Sequence, residues 1–328
     1  MRTQVYTPTP TNLRKLARVL RHGGLVAIPT ETVYGLAADA LDARACRAIF
    51  KAKGRPAHDP LIVHVLNLAQ AEKLAEFNPV ARRVARRFWP GPLTLVLPKK
   101  SCVPGIVTSG GETVAVRSPA LPLARKIMRL AGIPLAAPSA NRFGYISPTR
   151  AEHVVDGLNG RIGHVLDGGA CPVGVESTVL DLTDPDRPMI LRPGAVTAAA
   201  LSRFLRRTVG VAARAKSSGG LRAPGMLDRH YSPRTPLRLQ HPGASLPRNV
   251  GAIYLRRPHH ATGENAFWFS RRGSWEEIAR NLYRVLRAAD RAGRREIWVE
   301  PVPPGASGLA TAIRDRLARA AAQRRKES

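Results

Sequence analysis

The sequence Pro29-Thr-Glu-Thr-Val-Tyr-Gly-Leu36 follows a short apolar run at residues 25–28. An apolar run of this length is typical of a buried strand, so the sequence predicts a strand that leads into a polar loop. Gly35 would permit a backbone turn that brings nearby hydroxyl groups to one rim. Because threonine and glycine are also ordinary turn residues, a plain polar turn after a strand is the alternative. The hydroxyl groups concerned belong to Thr30, Thr32 and Tyr34.

A second segment, Lys53-Gly-Arg-Pro56, carries two cations at the end of an amphipathic stretch over residues 42–52. Pro56 and Pro60 restrict the backbone, so we expect both cations to project from a stiff, solvent-accessible loop. An arginine can grip phosphate or carboxylate with its planar guanidinium, and a lysine adds a mobile point charge. Such a pair is typical of a polyphosphate site. The alternative is a solvated helix end whose dipole the cations complement.

The length and composition of the chain favour two globular domains. It has 328 residues, of which 44% are apolar and 23% are charged, and each half is long enough for its own core. No apolar run approaches the roughly 20 residues needed to cross a bilayer. Residues 1–10 lack the apolar core of a secretory signal. We therefore expect a cytoplasmic protein with no membrane partner.

The charge balance and the cysteines limit the kinds of partner. A net charge of +29 predicts anionic partners such as a nucleotide or RNA, although enrichment in alanine and arginine could equally decorate solvated helix faces. Cys46, Cys102 and Cys171 lie far apart in sequence. This spacing indicates neither a disulfide framework nor a structural zinc site. We expect all three cysteines to be buried as small apolar residues.

Strand and helix patterns alternate along the first part of the chain, which indicates an α/β domain with a sizeable sheet. The first helix is expected to be capped by Thr11. A flexible composition at Lys216-Ser-Ser-Gly-Gly220 predicts a linker. The sequence has neither a Gly-x-x-x-x-Gly-Lys loop nor a Gly-x-Gly-x-x-Gly fingerprint. The predicted units are a domain at 1–208, a linker at 209–236 and a smaller α/β domain at 237–328.

Polar residues stand at the ends of four further predicted strands: His64, Arg117, Ser139 with Asn141, and Ser177. Open α/β sheets bind ligands beyond their strand ends, where several loops converge. This pattern therefore predicts one shared cleft. Taken singly, His64 on an apolar strand is more typical of a core histidine than of a ligand contact, and Ser139 is equally compatible with a turn residue.

These motifs together resemble the YrdC-type domain of threonylcarbamoyl-AMP synthases. The resemblance implies a twisted mixed sheet with flanking helices, followed in the longer members by a linker and a smaller Rossmann-like α/β C-terminal domain. The segment Pro224-Gly-Met-Leu-Asp-Arg-His-Tyr-Ser-Pro233 is similar to that linker. The motifs that carry the resemblance are, in chain order, Pro-Thr-Glu-Thr-Val-Tyr-Gly-Leu, Lys-Gly-Arg-Pro, Pro-Leu-Ile-Val-His, Trp-Pro-Gly-Pro-Leu-Thr, Pro-Ser-Ala-Asn, Glu-Ser-Thr-Val and Leu-Arg-Pro-Gly.

The resemblance implies a nucleotidyltransferase that condenses L-threonine, bicarbonate and ATP to threonylcarbamoyl-AMP and pyrophosphate. A downstream transferase machinery would pass the threonylcarbamoyl group to tRNA, which the basic surface could contact. Lys53 and Arg55 would be the catalytic cations, and Tyr231 would close the cleft as part of a lid. The implied threonine-binding residues are Thr32, His64, Arg117, Ala137 and Ser177. The implied ATP-binding residues are Lys53, Arg55, Asp59, Thr113, Ser139, Asn141, Ser147, Arg192 and Tyr231.

The chain departs from the family pattern at Asp59, where the family usually has asparagine. The substitution removes an amide donor and places a negative charge near a polyanion unless a metal ion or Arg55 compensates it. Mg²⁺ is expected with ATP, but no carboxylate cluster indicates a site held by protein ligands. The ion would then be carried mainly by phosphates and water.

Two other functions are compatible with such a domain. One is a non-catalytic RNA-binding or translation-associated module that keeps the basic concavity. The other is carbamoyl transfer from carbamoyl phosphate, which the chain disfavours because it lacks the zinc-type cysteine pairs and the acylphosphatase-like segment that accompany such domains. The full set of hydroxyl and cationic residues favours the synthase.

Overall fold

The first part of the chain forms a twisted mixed sheet of eleven strands, flanked by helices. The computed structural model describes residues 2–212, 230–242, 246–259 and 264–322. The strands of this sheet are β1 (Gln4–Tyr6), β2 (Val26–Ile28), β3 (Gly35–Asp39), β4 (Ile62–His64), β5 (Leu93–Pro98), β6 (Thr113–Arg117), β7 (Leu135–Ala136), β8 (His164–Leu166), β9 (Thr178–Asp181), β10 (Met189–Arg192) and β11 (Gly210–Val211). The helices around it are α1 (Pro10–Arg21), α2 (Ala43–Lys53), α3 (Leu68–Ala71), α4 (Pro79–Phe88), α5 (Gly105–Thr108), α6 (Pro122–Ala131), α7 (Ala151–Leu158) and α8 (Ala198–Leu205).

The strand order β1-β8-β2-β3-β7-β4-β6-β5-β9-β10-β11 brings several polar residues to one region. Strands β4 and β6 are parallel and pair His64 with Arg117, so both residues stand at the same strand ends. Strands β5 and β9 are also parallel and pair Thr94 with Val179, which places Thr94 beside the residue before β9, Ser177. The predicted convergence of strand ends is therefore present.

Helix α1 begins two residues earlier than the sequence predicts. Its cap is Thr9, which has an extended backbone and whose hydroxyl oxygen accepts a hydrogen bond from the backbone amide of Asn12. Pro10 occupies the first helical position, where its missing N–H has no intrahelical partner to lose. Thr11 therefore lies inside the first turn, and the prediction that it caps the helix is wrong.

Gly35 starts strand β3 and is not a turn residue, which corrects the sequence expectation. A Cβ at this position would lie 3.1 Å from the Cβ of Ala137, so the close approach of β3 to the end of β7 explains the glycine. Tyr34 is fully buried, and its hydroxyl donates to the carbonyl of Gly169 at 2.7 Å. Of the three predicted rim hydroxyls, only Thr30 and Thr32 face a common cavity.

The C-terminal part forms a second sheet of four strands, β12 (Leu237–Leu239), β13 (Val250–Arg256), β14 (Ala266–Ser270) and β15 (Glu296–Val299), in the order β12-β15-β13-β14. Every pair in it is parallel. Helices α9 (Trp275–Arg291) and α10 (Leu309–Ala320) pack on this sheet, which matches the expected Rossmann-like unit. Most of the predicted linker, residues 213–229, lies outside the described residues.

The hydrophobic core of the C-terminal sheet extends into the first part of the chain. Val33, Ile146 and Val175 belong to the same buried cluster as Leu282 of α9 and Ile313 of α10. Gly174 approaches α9 so closely that a Cβ there would lie 2.4 Å from the carbonyl oxygen of Ala279. The first part of the chain and the C-terminal part are thus packed together, because loops of the first part contact helices α9 and α10.

Two further expectations concern the cysteines and the membrane. Cys46 and Cys171 are buried, and burial raises the pKa of each thiol to about 12. Cys102 is exposed, so the prediction that all three are buried is wrong for this residue. Within the described ranges, no helix is both long and apolar enough to cross a membrane.

Candidate active site

One cavity lies where the ends of β4, β6 and β10 meet the loops after β2 and β7. The loop before β9 and two residues of the linker complete its wall. Nine of the residues predicted for threonine or ATP line it. They are Thr32, Arg55, His64, Arg117, Ala137, Ser139, Ser177, Arg192 and Tyr231.

Arg117 holds one end of this cavity through three different groups. Its Nε donates to the carbonyl of Gly91 at 3.2 Å, its Nη1 to the hydroxyl of Thr32 at 2.9 Å, and its Nη2 to Glu31 Oε1 at 2.5 Å. A guanidinium has five N–H groups, so two remain for a ligand. The sequence did not single out Glu31 as the partner of this cation.

Glu31 is a buried carboxylate whose charge Arg117 compensates. Its residue is only 5% exposed. Burial alone would raise its pKa, but the charge and hydrogen bond of Arg117 outweigh burial, and the pKa lies below its ordinary value. Oε2 has no hydrogen-bond partner among the described residues. Glu31 is therefore an anion at neutral pH with one oxygen still able to accept.

The hydroxyls of Thr30 and Thr32 form a short relay beside Arg117. Thr30 Oγ1 donates to the carbonyl of Val33 at 2.6 Å and lies 2.9 Å from Thr32 Oγ1. Because the single hydroxyl proton of Thr30 is used on that carbonyl, Thr32 donates to Thr30 and accepts from Arg117. This pattern fixes the orientation of the Thr32 hydroxyl.

His64 is a neutral imidazole on the cavity wall. Burial and the nearby charge of Arg117 lower its pKa to about 3, although Glu31 opposes them. Its Nδ1 is buried and has no partner in the described part of the chain. A neutral ring with one unused nitrogen suits hydrogen bonding to a ligand better than charge pairing.

Ser177 and Arg192 form a second polar group across the cavity. Arg192 Nη2 donates to Ser177 Oγ at 3.0 Å, and its Nε donates to the Ser177 carbonyl at 3.2 Å. The Ser177 hydroxyl also lies 2.8 Å from that of Thr94. Arg192 is 4% exposed. It is therefore a buried cation at the cavity wall, and Ser177, the residue before β9, accepts its hydrogen bonds.

Arg55 and Asp59 form a buried ion pair at the cavity edge. Arg55 Nη2 lies 2.9 Å from Asp59 Oδ2, and Arg55 also donates to the carbonyls of Asp59 and Pro60. Burial raises the pKa of Asp59 while the charges of Arg55 and Lys53 lower it, with a net increase. Asp59 itself does not line the cavity. The charge conflict seen in the sequence is thus resolved by Arg55.

Lys53 is buried against a loop and does not reach the cavity. Its Nζ donates to the carbonyls of Ser139 and Asn141, at 2.5 and 2.6 Å. Burial and the charge of Arg55 lower its pKa well below the ordinary value, against the opposing charge of Asp59. Lys53 is 2% exposed and Arg55 is 7% exposed, so the expectation of a solvent-accessible loop is wrong. Lys53 instead shapes the loop that carries Ser139.

Three other predicted ATP residues also lie outside the cavity lining. Thr113 begins β6, on the same face as Ala115 and Arg117 and about 13 Å from Arg117 along the strand. Asn141 donates its side-chain amide to the carbonyls of Arg142 and Tyr145, which fixes its own loop. Ser147 is fully buried.

The linker reaches the cavity through His230 and Tyr231. Tyr231 is 1% exposed and has a left-handed backbone with φ 63°, which is uncommon outside glycine. Its ring centroid lies 4.2 Å from that of His230 and 5.8 Å from that of Tyr283 in α9. The Tyr231 hydroxyl finds no hydrogen-bond partner among the described residues. The predicted lid residue therefore stands at the site with its hydroxyl unused.

Sequence reasoning missed several cavity residues. Glu31 and Glu176 lie inside motifs that were quoted, but only their neighbours were selected as candidates. A carboxylate next to a selected hydroxyl residue, twice in one chain, is the signal that could have found them. His230 precedes Tyr231 in the linker motif and was likewise passed over. Over the described ranges, no group of three or more His, Cys, Asp or Glu side chains is arranged to hold a metal ion.

The fold and this cavity define an α/β protein with a YrdC-type site, and comparison with known proteins agrees. A family model described as "Telomere recombination", covering the Sua5, YciO and YrdC proteins, matches residues 18–194. A second, described as "Threonylcarbamoyl-AMP synthase, C-terminal domain", matches residues 196–322. The chain belongs to the threonylcarbamoyl-AMP synthase family.

Individual relatives match nearly the whole chain. The threonylcarbamoyl-AMP synthase of Pyrococcus abyssi is 42% identical over 326 residues, which covers 95% of this chain and 94% of the relative. That of Bacillus subtilis is 40% identical over 333 residues, with 95% and 93% covered. The crystal structure of P. abyssi Sua5 complexed with L-threonine superposes with a TM-score of 0.88 at 39% identity, and covers 97% of this chain and 98% of that one.

Proposed function

We propose that this chain is a nucleotidyltransferase that condenses L-threonine, bicarbonate and ATP into L-threonylcarbamoyl-AMP and pyrophosphate. One observation carries the proposal: the same cavity is lined by Arg117, Thr32, His64, Arg192 and Ser139. We assign the first three residues to the threonine end and the last two to the nucleotide end. The threonylcarbamoyl-AMP synthases among its relatives support it, and P. abyssi Sua5, whose structure covers 97% of this chain, is known in complex with L-threonine.

At the threonine end, the two unused N–H groups of Arg117 would bind the substrate carboxylate. Such charge-assisted bonds to a buried guanidinium are among the stronger polar contacts in proteins. His64 Nδ1 and the hydroxyls of Thr32 and Ser177 would orient the rest of threonine, with the backbone at Ala137 closing the pocket. Glu31 would keep Arg117 in place when no substrate is bound.

The chemistry consists of two bond-forming steps that balance without a protein nucleophile. The amine of threonine adds to bicarbonate and water leaves, which gives a carbamate. A carbamate oxygen then attacks the α-phosphorus of ATP, and pyrophosphate departs. The protein must therefore hold the two substrates in contact and stabilise the charge on the phosphates.

At the nucleotide end, Arg55 and Arg192 would supply that positive charge, and Ser139 and Tyr231 would contribute hydroxyl groups. Lys53 would act on the nucleotide indirectly, because its ammonium donates to the carbonyls of Ser139 and Asn141 and so positions the loop that carries Ser139. We expect Asp59 to fix Arg55, and Thr113, Asn141 and Ser147 to support the surrounding loops. Mg²⁺ would arrive with the phosphates of ATP, since the described carboxylates form no metal cluster.

The linker would act as a lid over this site. Tyr231 already lies at the cavity, and a closed site would protect a labile mixed anhydride from water. We propose that 1–208 forms the catalytic domain, 209–236 the linker and 237–328 the C-terminal domain.

The decisive test is to incubate the purified chain with labelled L-threonine, bicarbonate and ATP. The proposal requires pyrophosphate release that depends on both threonine and bicarbonate, together with a labelled adenylate. Binding of RNA without any threonine-dependent pyrophosphate would instead favour a non-catalytic module. Omitting bicarbonate is the matched control, because simple ATP hydrolysis would continue without it.

The product would pass to a downstream threonylcarbamoyl transferase that modifies tRNA, in the cytoplasm where all three substrates and tRNA occur. The net charge of +29 favours direct contact with tRNA through the basic surface. A gel-shift titration at increasing salt tests this contact: affinity that falls steeply with salt supports it, and no shift at low salt rejects it.

A further inference from the structure

Arg316 of α10 is a fully buried cation that reaches from the C-terminal part of the chain to Glu176, a residue of the cavity lining. It is 0% exposed. Its Nε donates to Glu176 Oε2 at 2.8 Å, its Nη2 to the carbonyl of Pro193 at 2.9 Å, and its Nη1 to Asp315 at 2.6 Å. Two of these three bonds, those to Glu176 and Pro193, connect the C-terminal part of the chain with the first part.

The two residues that Arg316 grips stand next to the polar group of the cavity. Glu176 precedes Ser177, and Pro193 follows Arg192. Their two backbones are already in close contact, because a Cβ on Gly194 would lie 2.3 Å from the amide nitrogen of Thr178. Arg316 thus clamps the two segments where they touch.

Glu176 is held by a second side chain of the C-terminal part. Tyr283 of α9 donates its hydroxyl to the carboxylate, with distances of 2.7 Å to Oε2 and 3.0 Å to Oε1. Burial alone would raise the pKa of Glu176, but the charges of Arg316 and Arg192 lower it to about 2. The carboxylate is therefore charged at neutral pH and is held by Arg316 and Tyr283.

The same guanidinium also supports the linker. Its Cζ lies 5.2 Å from the ring centroid of Tyr231, a distance that permits a cation–π interaction. One side chain thus meets the loop before β9, the segment after β10 and the linker. None of the binding and charge-stabilising roles proposed above uses a residue of α10, so they do not explain why an arginine stands at position 316.

We propose that Arg316 is a positioning residue for the adenylation site, which sets the placement of Arg192 through Pro193 and of Ser177 through Glu176. This inference rests on the proposed function. It gives the C-terminal domain a task in substrate binding. Loss of the guanidinium would let both segments move, and a displacement of about 1 Å is enough to weaken a positioned site strongly.

The test compares Arg316→Met with Arg314→Met in the full chain. Arg314 lies on the same helix, but its hydrogen bonds go to the carbonyls of Pro303 and Ala306, within the C-terminal part. We expect Arg316→Met to raise the KM for ATP at least fivefold and the KM for threonine at least twofold. Arg314→Met should keep both values. A merely structural role would lower the amount of active enzyme and leave KM unchanged.

Two conservative variants keep the test decisive if Arg316→Met does not fold. Tyr283→Phe removes only the hydroxyl that holds Glu176, so the KM for threonine should rise more than that for ATP. Arg316→Lys retains the charge without the fork and should fall between wild type and Arg316→Met. KM values within twofold of wild type in every folded variant would overturn the inference.

Failure of the inference and failure of the proposed function give different results. If wild type releases pyrophosphate only with threonine and bicarbonate, but the variants keep its KM values, the function stands and the role of Arg316 is rejected. If wild type shows no such release, the proposed function fails. Calorimetric dissociation constants for ATP in wild type and Arg316→Lys then decide the role of Arg316, and equal constants reject it.

Discussion

Replacing Arg117 by alanine should destabilise the fold as well as weaken threonine binding. Arg117 is the cation that compensates Glu31, and Glu31 is only 5% exposed. Removal of one partner of a buried ion pair leaves the other as an unpaired charge, which typically costs about 3–5 kcal/mol. We expect the free energy of unfolding to fall by an amount in this range at neutral pH.

The loss should depend on pH in a defined direction. In wild type the pKa of Glu31 is lowered, so its contribution to stability is present above its ordinary pKa of 4.5 and disappears as pH falls through the folded-state value. Without Arg117, burial alone raises this pKa, and the penalty is relieved when the carboxyl takes up a proton. The stability gap between wild type and variant should therefore narrow as pH falls from about 7 to about 4.

Urea unfolding followed by circular dichroism measures this gap, and the double variant Arg117→Ala/Glu31→Gln is the control. Neutralising Glu31 should restore about 1–3 kcal/mol, because the buried charge is gone. Calorimetry on the single variant should show threonine affinity reduced by about 1.5–3 kcal/mol with nucleotide affinity retained. A stability loss below about 1 kcal/mol, or a double variant no more stable than the single one, would refute the reasoning.

Three other predictions concern separate parts of the site. Lys53→Met should lower the free energy of unfolding by about 2–3 kcal/mol, because two charge-assisted bonds to loop carbonyls are lost; an unchanged melting temperature with abolished pyrophosphate release would place Lys53 on a substrate instead. Tyr231→Ala should slow the accumulation of threonylcarbamoyl-AMP over time, whereas Tyr231→Phe keeps the ring and should lose only the contribution of the hydroxyl; equal accumulation by wild type and both variants would reject the lid. Chelation of Mg²⁺ should stop pyrophosphate release while calorimetric threonine binding persists, and release that continues in excess chelator would contradict a role for the ion.

The sequence predicted much of the fold because strong local signals coincided with the real elements. Apolar runs predict strands at 61–65, 93–97 and 113–116, and helical spacing predicts a helix at 79–88. The ends of β4, β5, β6 and α4 lie within about one residue of these bounds. Short strands such as β1, β8 and β11 were not predicted, because two or three residues are too few to show an alternation of apolar and polar side chains. Their positions are decided by pairing with distant strands.

The sequence predicted which residues form the candidate site better than it predicted the contacts between them. Polar residues at strand ends pointed to His64 and Arg117 because parallel neighbours end at one edge. Arg117 pairs with Glu31, which lies 86 positions away in sequence. Lys53 donates to the carbonyl of Ser139, which is also 86 positions away. Such choices depend on which acceptors the folded chain brings near, and local sequence does not contain that information.

The shared core of the two sheets constrains how such a chain could be shortened. The side chains of Val33, Ile146 and Val175 are buried in one cluster with residues of α9 and α10. A version that ended after β11 would expose these three apolar residues beside a Glu176 that has lost Arg316 and Tyr283 and keeps only the nearby charge of Arg192. A functional single-domain form would therefore require polar replacements on that face and replacement hydrogen-bond donors for the carboxylate, so gain or loss of the C-terminal part calls for coordinated substitutions where the two parts of the chain meet.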